Sequence, residues 1–180
     1  MPFKKQAWKL VDKKPNYLKK IKSINTILFN NNLSEGFSTD FYSVSNVLKK
    51  NNINKYKTIV IVGTGSMGKI FYKILNNKNN KIFFVSRKPK YKNQLKLSKI
   101  HKIKFDVLIN ASPLGMLGFQ RFPIKNFNFS NCKKIIDVVA YPESTNLFKF
   151  ANKKKIEFTS GEILAKLQAE KQLEIYKKVL

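Results

Sequence analysis

A chain of 180 residues is long enough for one α/β domain with a continuous core, but its longest aliphatic run, Ile59 to Val62, is far short of the roughly 20 apolar residues that span a bilayer. Lysines from Lys4 onward leave no apolar signal-peptide core, so a cytoplasmic protein with no membrane partner is expected. The 36 basic and 10 acidic residues give a net charge of +26, yet the lysines run the whole length interleaved with asparagines, which reads as a solvated surface without a specific nucleic-acid site; non-specific polyanion binding is the alternative.

In chain order, the apolar positions between Lys4 and Ile24 suit two short helical pieces divided at Pro15. Residues 25–30 and 33–39 flank Asn31 and Asn32 and read as a hairpin. Asp40 is placed as a helix N-cap ahead of Phe41, Val44, Val47 and Leu48. After a Lys/Asn-rich linker at 49–57 the pattern changes to apolar strands at 58–62, 81–85, 105–110 and 134–139, with helices at 67–75 and 146–152. Buried strands joined through helices imply an α/β fold with a doubly wound, Rossmann-like parallel sheet and right-handed crossovers. The stretch from Gly161 to Leu180 carries Ile163, Leu164, Leu167, Leu173 and Ile175 at mostly helical spacing and reads as a closing helix.

Three of only seven glycines, Gly63, Gly65 and Gly68, fall within six residues as TIVIV-GTGSMG-KIFYKIL. This is the G-x-G-x-x-G spacing between a strand and a helix. The first glycine permits the tight turn, the second the approach of a pyrophosphate and the third close helix–strand packing. The helix start adds unpaired N–H groups for phosphates; a purely structural turn is the alternative. The next strand ends at Ser86-Arg87-Lys88, where a domain preferring NAD would carry an acidic residue for the ribose hydroxyl. Arg87 is one of two arginines among 34 lysines, and its guanidinium suits the 2′-phosphate of NADP(H). Asn110-Ala111-Ser112 lies where the carboxyl end of a central strand meets the cofactor crevice, with a plain loop as the other reading. Cys132 and His101 each stand alone, which excludes an intramolecular disulfide, thiolate-rich or histidine-based metal sites and a Ser–His–Asp triad within one chain.

The ordered motifs MPFK at the start, NTI at 25–27, STD at 38–40, GTGSMG, SRK at 86–88, NASPLGM, DVVAYPEST at 137–145 and the LQAEKQLEIY ending resemble the shikimate dehydrogenase family over essentially the whole chain. MPFK, DVVA and the ending look closest to its shikimate-dehydrogenase-like branch. The resemblance implies an NADP-dependent oxidoreductase that reversibly reduces the 3-carbonyl of 3-dehydroshikimate to shikimate, on the way to chorismate and the aromatic amino acids. It makes Lys4 and Asp40 the catalytic pair, because an ammonium can stabilise and protonate the oxygen on which charge develops while a carboxylate orients it. By the same resemblance Asn25 and Gln168 bind substrate hydroxyls. Gly63, Gly65, Met67, Gly68, Ser86, Arg87, Asn110, Ser112 and Val138 line the cofactor site, with Gly161 near the nicotinamide end.

The implied division is a remnant of a substrate-binding domain at 1–39, an NADP-binding Rossmann domain at 40–158 and a C-terminal helix at 159–180 packing back on the substrate-domain side. Departures from the family are Ser38 for the usual asparagine, Ser86 and Lys88 beside Arg87, and Ala140 for a substrate-contacting tyrosine, with Tyr141 displaced by one position. Family members carry a further N-terminal α/β segment with serines that hold the substrate carboxylate. The expectation is therefore an enzyme, or an NADP(H)-holding module without turnover of its own, completed by a separate chain or in a homo-oligomer.

Overall fold

The computed structural model describes residues 3–30, 32–53, 56–76 and 79–177. Met1 and Pro2 of the MPFK motif, Asn31 at the hairpin turn and the last residues of the closing stretch, 178–180, lie outside them. Helix α1 (Lys4–Leu10) and a single 3₁₀ turn (Asn16–Leu18) occupy the two places divided at Pro15. Strands β1 (Thr26–Asn30) and β2 (Leu33–Phe37) form an antiparallel ribbon with Thr26 opposite Phe37 and Asn30 opposite Leu33. Its outer edge at β2 is taken by the chain after α1, where Asp12 and Lys13 donate their backbone N–H groups to the Ser34 carbonyl.

Helix α2 (Thr39–Lys50) follows directly, and here the expected cap is corrected. Ser38 is the N-cap, its Oγ accepting from the Phe41 N–H, and Asp40 is already the second helical residue. Ser38 has the extended backbone a cap needs, and its short hydroxyl reaches the third amide of the helix. Asp40 is thereby released for a different partner.

The main sheet then builds from β3 (Thr58–Val62), β4 (Lys81–Val85), β5 (Gln94–Leu95), β6 (Val107–Asn110), β7 (Lys134–Asp137) and β8 (Glu157–Thr159), with α3 (Ser66–Leu75), α4 (Asn146–Lys154) and α5 (Gly161–Tyr176) between and after them. All its pairings are parallel and the order is β5-β4-β3-β6-β7-β8. This is the doubly wound arrangement expected, with the chain reversing direction across the sheet between β3 and β6, where such folds open a ligand crevice. Two strands escaped the sequence reading: β5 has two residues and β8 three, too short to show a pattern. Two expected strands are shorter than read, since the chain leaves the ladder after Asp137 and enters it only at Val107.

Alternating strand residues divide the core. Ile59, Ile61, Ile82, Phe84, Val107, Ile109 and Ile136 face one side, where they join Phe71 of α3, Val44 and Val47 of α2, Leu164 of α5 and, from the N-terminal stretch, Trp8, Val11, Leu18 and Ile24. Val60, Val62, Val85, Leu108 and Ile135 face the other side, against Leu147 and Ala151 of α4 and the aromatic group Phe105, Phe122 and Phe127. The residues before α2 therefore share one continuous core with the parallel sheet. No described helix is long and apolar enough to cross a membrane.

Candidate active site

Strand register brings the expected cofactor residues to one edge. Val85, Val62, Asn110 and Asp137 are register partners in succession, so Ser86, Gly63, Ala111 and Val138 leave the sheet side by side at its carboxyl end, with Ser112 one residue further along. The Gly63 N–H donates to the Val85 carbonyl and the Ala111 N–H to that of Val62, which fixes the three loop starts against one another.

The three glycines carry three distinct constraints. Gly63 has φ +100°, and a Cβ there would lie 2.8 Å from the Ala111 carbonyl oxygen. At Gly68 a Cβ would sit 2.1 Å from the Gly63 oxygen, so α3 can pack on its loop only without a side chain. Gly65 is different. Nothing lies within 4 Å of a Cβ placed there, and its side-chain-free face opens on empty space at the N-terminus of α3, whose cap makes no side-chain hydrogen bond. A loop that is sterically bound to glycine at two positions and left open at the third fits a pyrophosphate seated on the helix start, where the Met67 and Gly68 amides fall in the first turn.

Arg87 and Lys88 are exposed just beyond β4, and Ser86 turns that loop by accepting from the Lys88 N–H at 3.3 Å. On the next strand Asn110 is fully buried. Its Nδ2 donates to the Leu114 carbonyl and to Asp137, and its Oδ1 accepts from both the Ser112 N–H and the Ser112 hydroxyl. Asn110 thus shapes the NASPLG loop from within, which leaves its backbone and Ser112 as the groups nearest the crevice. Gly161, the first residue of α5, packs flat on the peptide between Val138 and Val139, where a Cβ would come within 2.5 Å of the Val138 oxygen. Tyr141 is exposed and precedes a cis bond to Pro142.

The second group of residues lies around the start of α2. Lys4 Nζ donates to the Asp40 carboxylate, pairing two side chains 36 positions apart. The side chain of Asp40 is 3% exposed and that of Lys4 14%, so what little of the pair meets solvent belongs mostly to the lysine. Asn25 engages Thr39 twice, donating to its Oγ1 and accepting its N–H, each at 2.9 Å. Among the described residues that leaves one amide hydrogen of Asn25 uncommitted, and it makes Asn25 the tether of the helix start that carries Asp40. Ser43 donates to the Asp40 carbonyl, and Gln168 of α5 reaches Ser43 Oγ at 3.4 Å. Through α5, which begins at the crevice with Gly161 and packs along α2, the two groups of residues are parts of one framework.

Sequence reasoning missed four of these participants. Thr39 and Ser43 look like ordinary helix residues, and Thr145, the N-cap of α4, looks like a loop residue. Asp137 had a signal: it is a carboxylate ending the apolar run KII, in a chain with only ten acidic residues.

No family model matches the sequence. Among curated proteins, a shikimate dehydrogenase-like protein of Haemophilus influenzae is 27% identical over 189 residues, covering 98% of this chain and 69% of the relative. The crystal structure of shikimate dehydrogenase 1 from Peptoclostridium difficile superposes with a TM-score of 0.84 at 26% identity, over 99% of this chain and 69% of that one. The chain is similar to shikimate dehydrogenases over nearly its whole length. A shikimate dehydrogenase (NADP(+)) of Clostridium beijerinckii is similar to the same extent, 28% identical over 187 residues. The chain spans about 69% of the length of these curated relatives.

Proposed function

We propose that this chain binds NADP(H) at the carboxyl end of its parallel sheet and, with Lys4 and Asp40, carries out the reversible reduction of 3-dehydroshikimate to shikimate. The observation that carries this reading is the contact between Lys4 and Asp40. Motif position alone paired these two residues, and they meet at the start of α2, against which α5 packs after leaving the peptide that follows β7. The glycine loop would seat the pyrophosphate, Arg87 would fork to the 2′-phosphate, and Asn110, Ser112, Val138 and Gly161 would border the nicotinamide half.

When bound, the reduced dinucleotide would supply a hydride to the carbonyl carbon. The charge that then develops on the carbonyl oxygen falls to the Lys4 ammonium, which stabilises it and delivers a proton from Nζ. Asp40 holds that Nζ in place. The free amide hydrogen of Asn25 can donate to a substrate oxygen, and the long Gln168–Ser43 contact is weak enough to be exchanged for one. In the reverse direction the unprotonated Lys4 amine takes the proton from the substrate hydroxyl, which becomes the carbonyl as its carbon gives hydride back to the oxidised dinucleotide.

The test is oxidation of NADPH on addition of 3-dehydroshikimate. Turnover that disappears in Lys4→Ala, with NADPH affinity retained, supports the reading. Because the relatives are longer, the assay is repeated with a polypeptide supplying their remaining length. Saturable NADPH binding without turnover under either condition would favour a cofactor-holding module instead.

A further inference from the structure

The carboxylate of Asp137 is 1% exposed at the end of β7 and forms no ion pair among the described residues. Three donors converge on it: Asn110 Nδ2 at 2.9 Å and the Val139 N–H at 3.1 Å on one oxygen, and the Thr145 hydroxyl at 3.3 Å on the other. Each donor governs a different part of the crevice. Asn110 organises the loop after β6, fixing Ser112 and Leu114. Val139 belongs to the peptide on which Gly161 packs. Thr145 caps α4 by accepting from the Phe148 N–H at 3.1 Å.

We propose that Asp137 is the positioning residue of this crevice, its ionised carboxylate gathering the loops after β6 and β7 into the shape that receives the cofactor. This rests on the dinucleotide-binding reading above and names a residue for it that neither touches the ligand nor was identified from its sequence position. Hydrogen bonds to a charged acceptor are roughly twice as strong as neutral ones, so the ionised group holds three loop segments more firmly than any neutral isostere. Protonation at Oδ2 makes that oxygen a donor toward Thr145 Oγ1. The threonine already accepts from Phe148, so its own hydrogen must then find another acceptor and the clasp on the second loop is weakened.

No charge on the surrounding elements compensates. The partner strand β6 carries no titratable side chain. Glu157 of β8 is engaged by Lys134 at the opposite end of the strands. Lys149, Lys153 and Lys154 of α4, Tyr141 and Glu143 of the loop and Glu162 of α5 are all exposed. Burial accordingly pushes the carboxyl up to about 6, within reach of ordinary solution conditions.

The experiment uses the whole chain and Asp137→Asn, which keeps the shape and mimics the protonated group. NADPH affinity is measured from pH 5 to pH 8, and the backbone amides of Ser112 and Val139 are followed by NMR in ligand-free protein over the same range. A phosphate group itself titrates near pH 6, so the quantity read is the ratio of the two proteins' dissociation constants, in which the ligand's ionisation cancels. The variant is expected to bind about fivefold more weakly at pH 8, the difference falling away by pH 5, while both amides of the native chain titrate together near pH 6. A ratio that stays constant with pH, or amides that do not titrate, overturns the proposal. The native amide titration needs no variant, so it decides the matter even if Asp137→Asn does not fold. If the native chain holds NADPH no better than inorganic phosphate, the cofactor reading itself fails, and the amides report separately whether Asp137 governs the two loops.

Discussion

The Lys4 ammonium closes on the Asp40 carboxylate, tying the first turn of α1 to the first turn of α2 across 36 residues of sequence. Because the Asp40 side chain is almost fully buried, Lys4→Met leaves a carboxylate in the core without its ammonium partner. Loss of one partner from a buried pair costs about 3 kcal/mol, and loss of a proton donor lowers turnover by about 10²- to 10⁴-fold. The variant is therefore expected to unfold at lower denaturant, to lose turnover with 3-dehydroshikimate, and to keep its NADPH dissociation constant within about twofold. Denaturant melts and fluorescence titration of NADPH measure the two effects separately.

Gly65 and Gly68 give opposite expectations for the same substitution. Gly68→Ala drives a methyl group into the Gly63 carbonyl oxygen, which is backbone and cannot step aside, and should cost about 3 kcal/mol of stability. Gly65→Ala meets nothing within 4 Å and suits a φ of −71°, so its stability should stay within about 0.5 kcal/mol of the native chain. Its methyl group nevertheless stands where a pyrophosphate must approach, and NADPH affinity should fall by about tenfold or more. Paired thermal melts and NADPH titrations check both halves of this contrast.

Arg87 is expected to discriminate between cofactors. Replacing it with glutamine removes a charged fork but leaves the loop hydrogen bond of Ser86 to Lys88 in place. A hydrogen-bonded charge pair is worth about 1.5–3 kcal/mol, so NADPH affinity should drop roughly 10- to 100-fold while NADH affinity changes little. Competition binding with the two reduced cofactors measures the ratio.

Much of the fold was legible because it rests on apolar runs. TIVIV, KIFFV and KII announce their strands, and the glycine spacing announces the turn between β3 and α3. Strands β5 and β8 were not legible: Gln94–Leu95 and Glu157–Thr159 are strands only because a neighbour offers a free edge, and no local pattern records that. The cap of α2 was misplaced by two residues because Ser38 and Asp40 are both good caps, and what decides between them is Lys4, far away in sequence. Nor could Thr39 or Ser43 be chosen from the sequence, since their roles exist only once β1, α2 and α5 are assembled, whereas Asp137 at least stood out as a carboxylate closing an apolar run.

Asp137 also gives stability a characteristic pH dependence. Its folded-state value is raised from 3.8 to about 6, so between these limits the folded chain binds more protons than the unfolded one. By linkage this group's contribution is greatest below about pH 4 and is lost as the pH rises through 6, an effect on the order of 3 kcal/mol. Relative to the native chain, Asp137→Asn should therefore gain stability between pH 4.5 and pH 7.5. It should gain stability over the same range in which it loses NADPH affinity, a divergence that melts and titrations on the same samples will reveal.

The most direct measurement is calorimetric titration of the native chain with NADPH, NADH and inorganic pyrophosphate at two salt concentrations, with Gly65→Ala alongside. A single saturable site is predicted, at least about tenfold tighter for NADPH than for NADH, tighter still against pyrophosphate, and weakened about tenfold or more in the variant. Equal affinity for NADPH and pyrophosphate, falling steeply with salt and indifferent to Gly65→Ala, would place binding on the +26 surface and contradict the account.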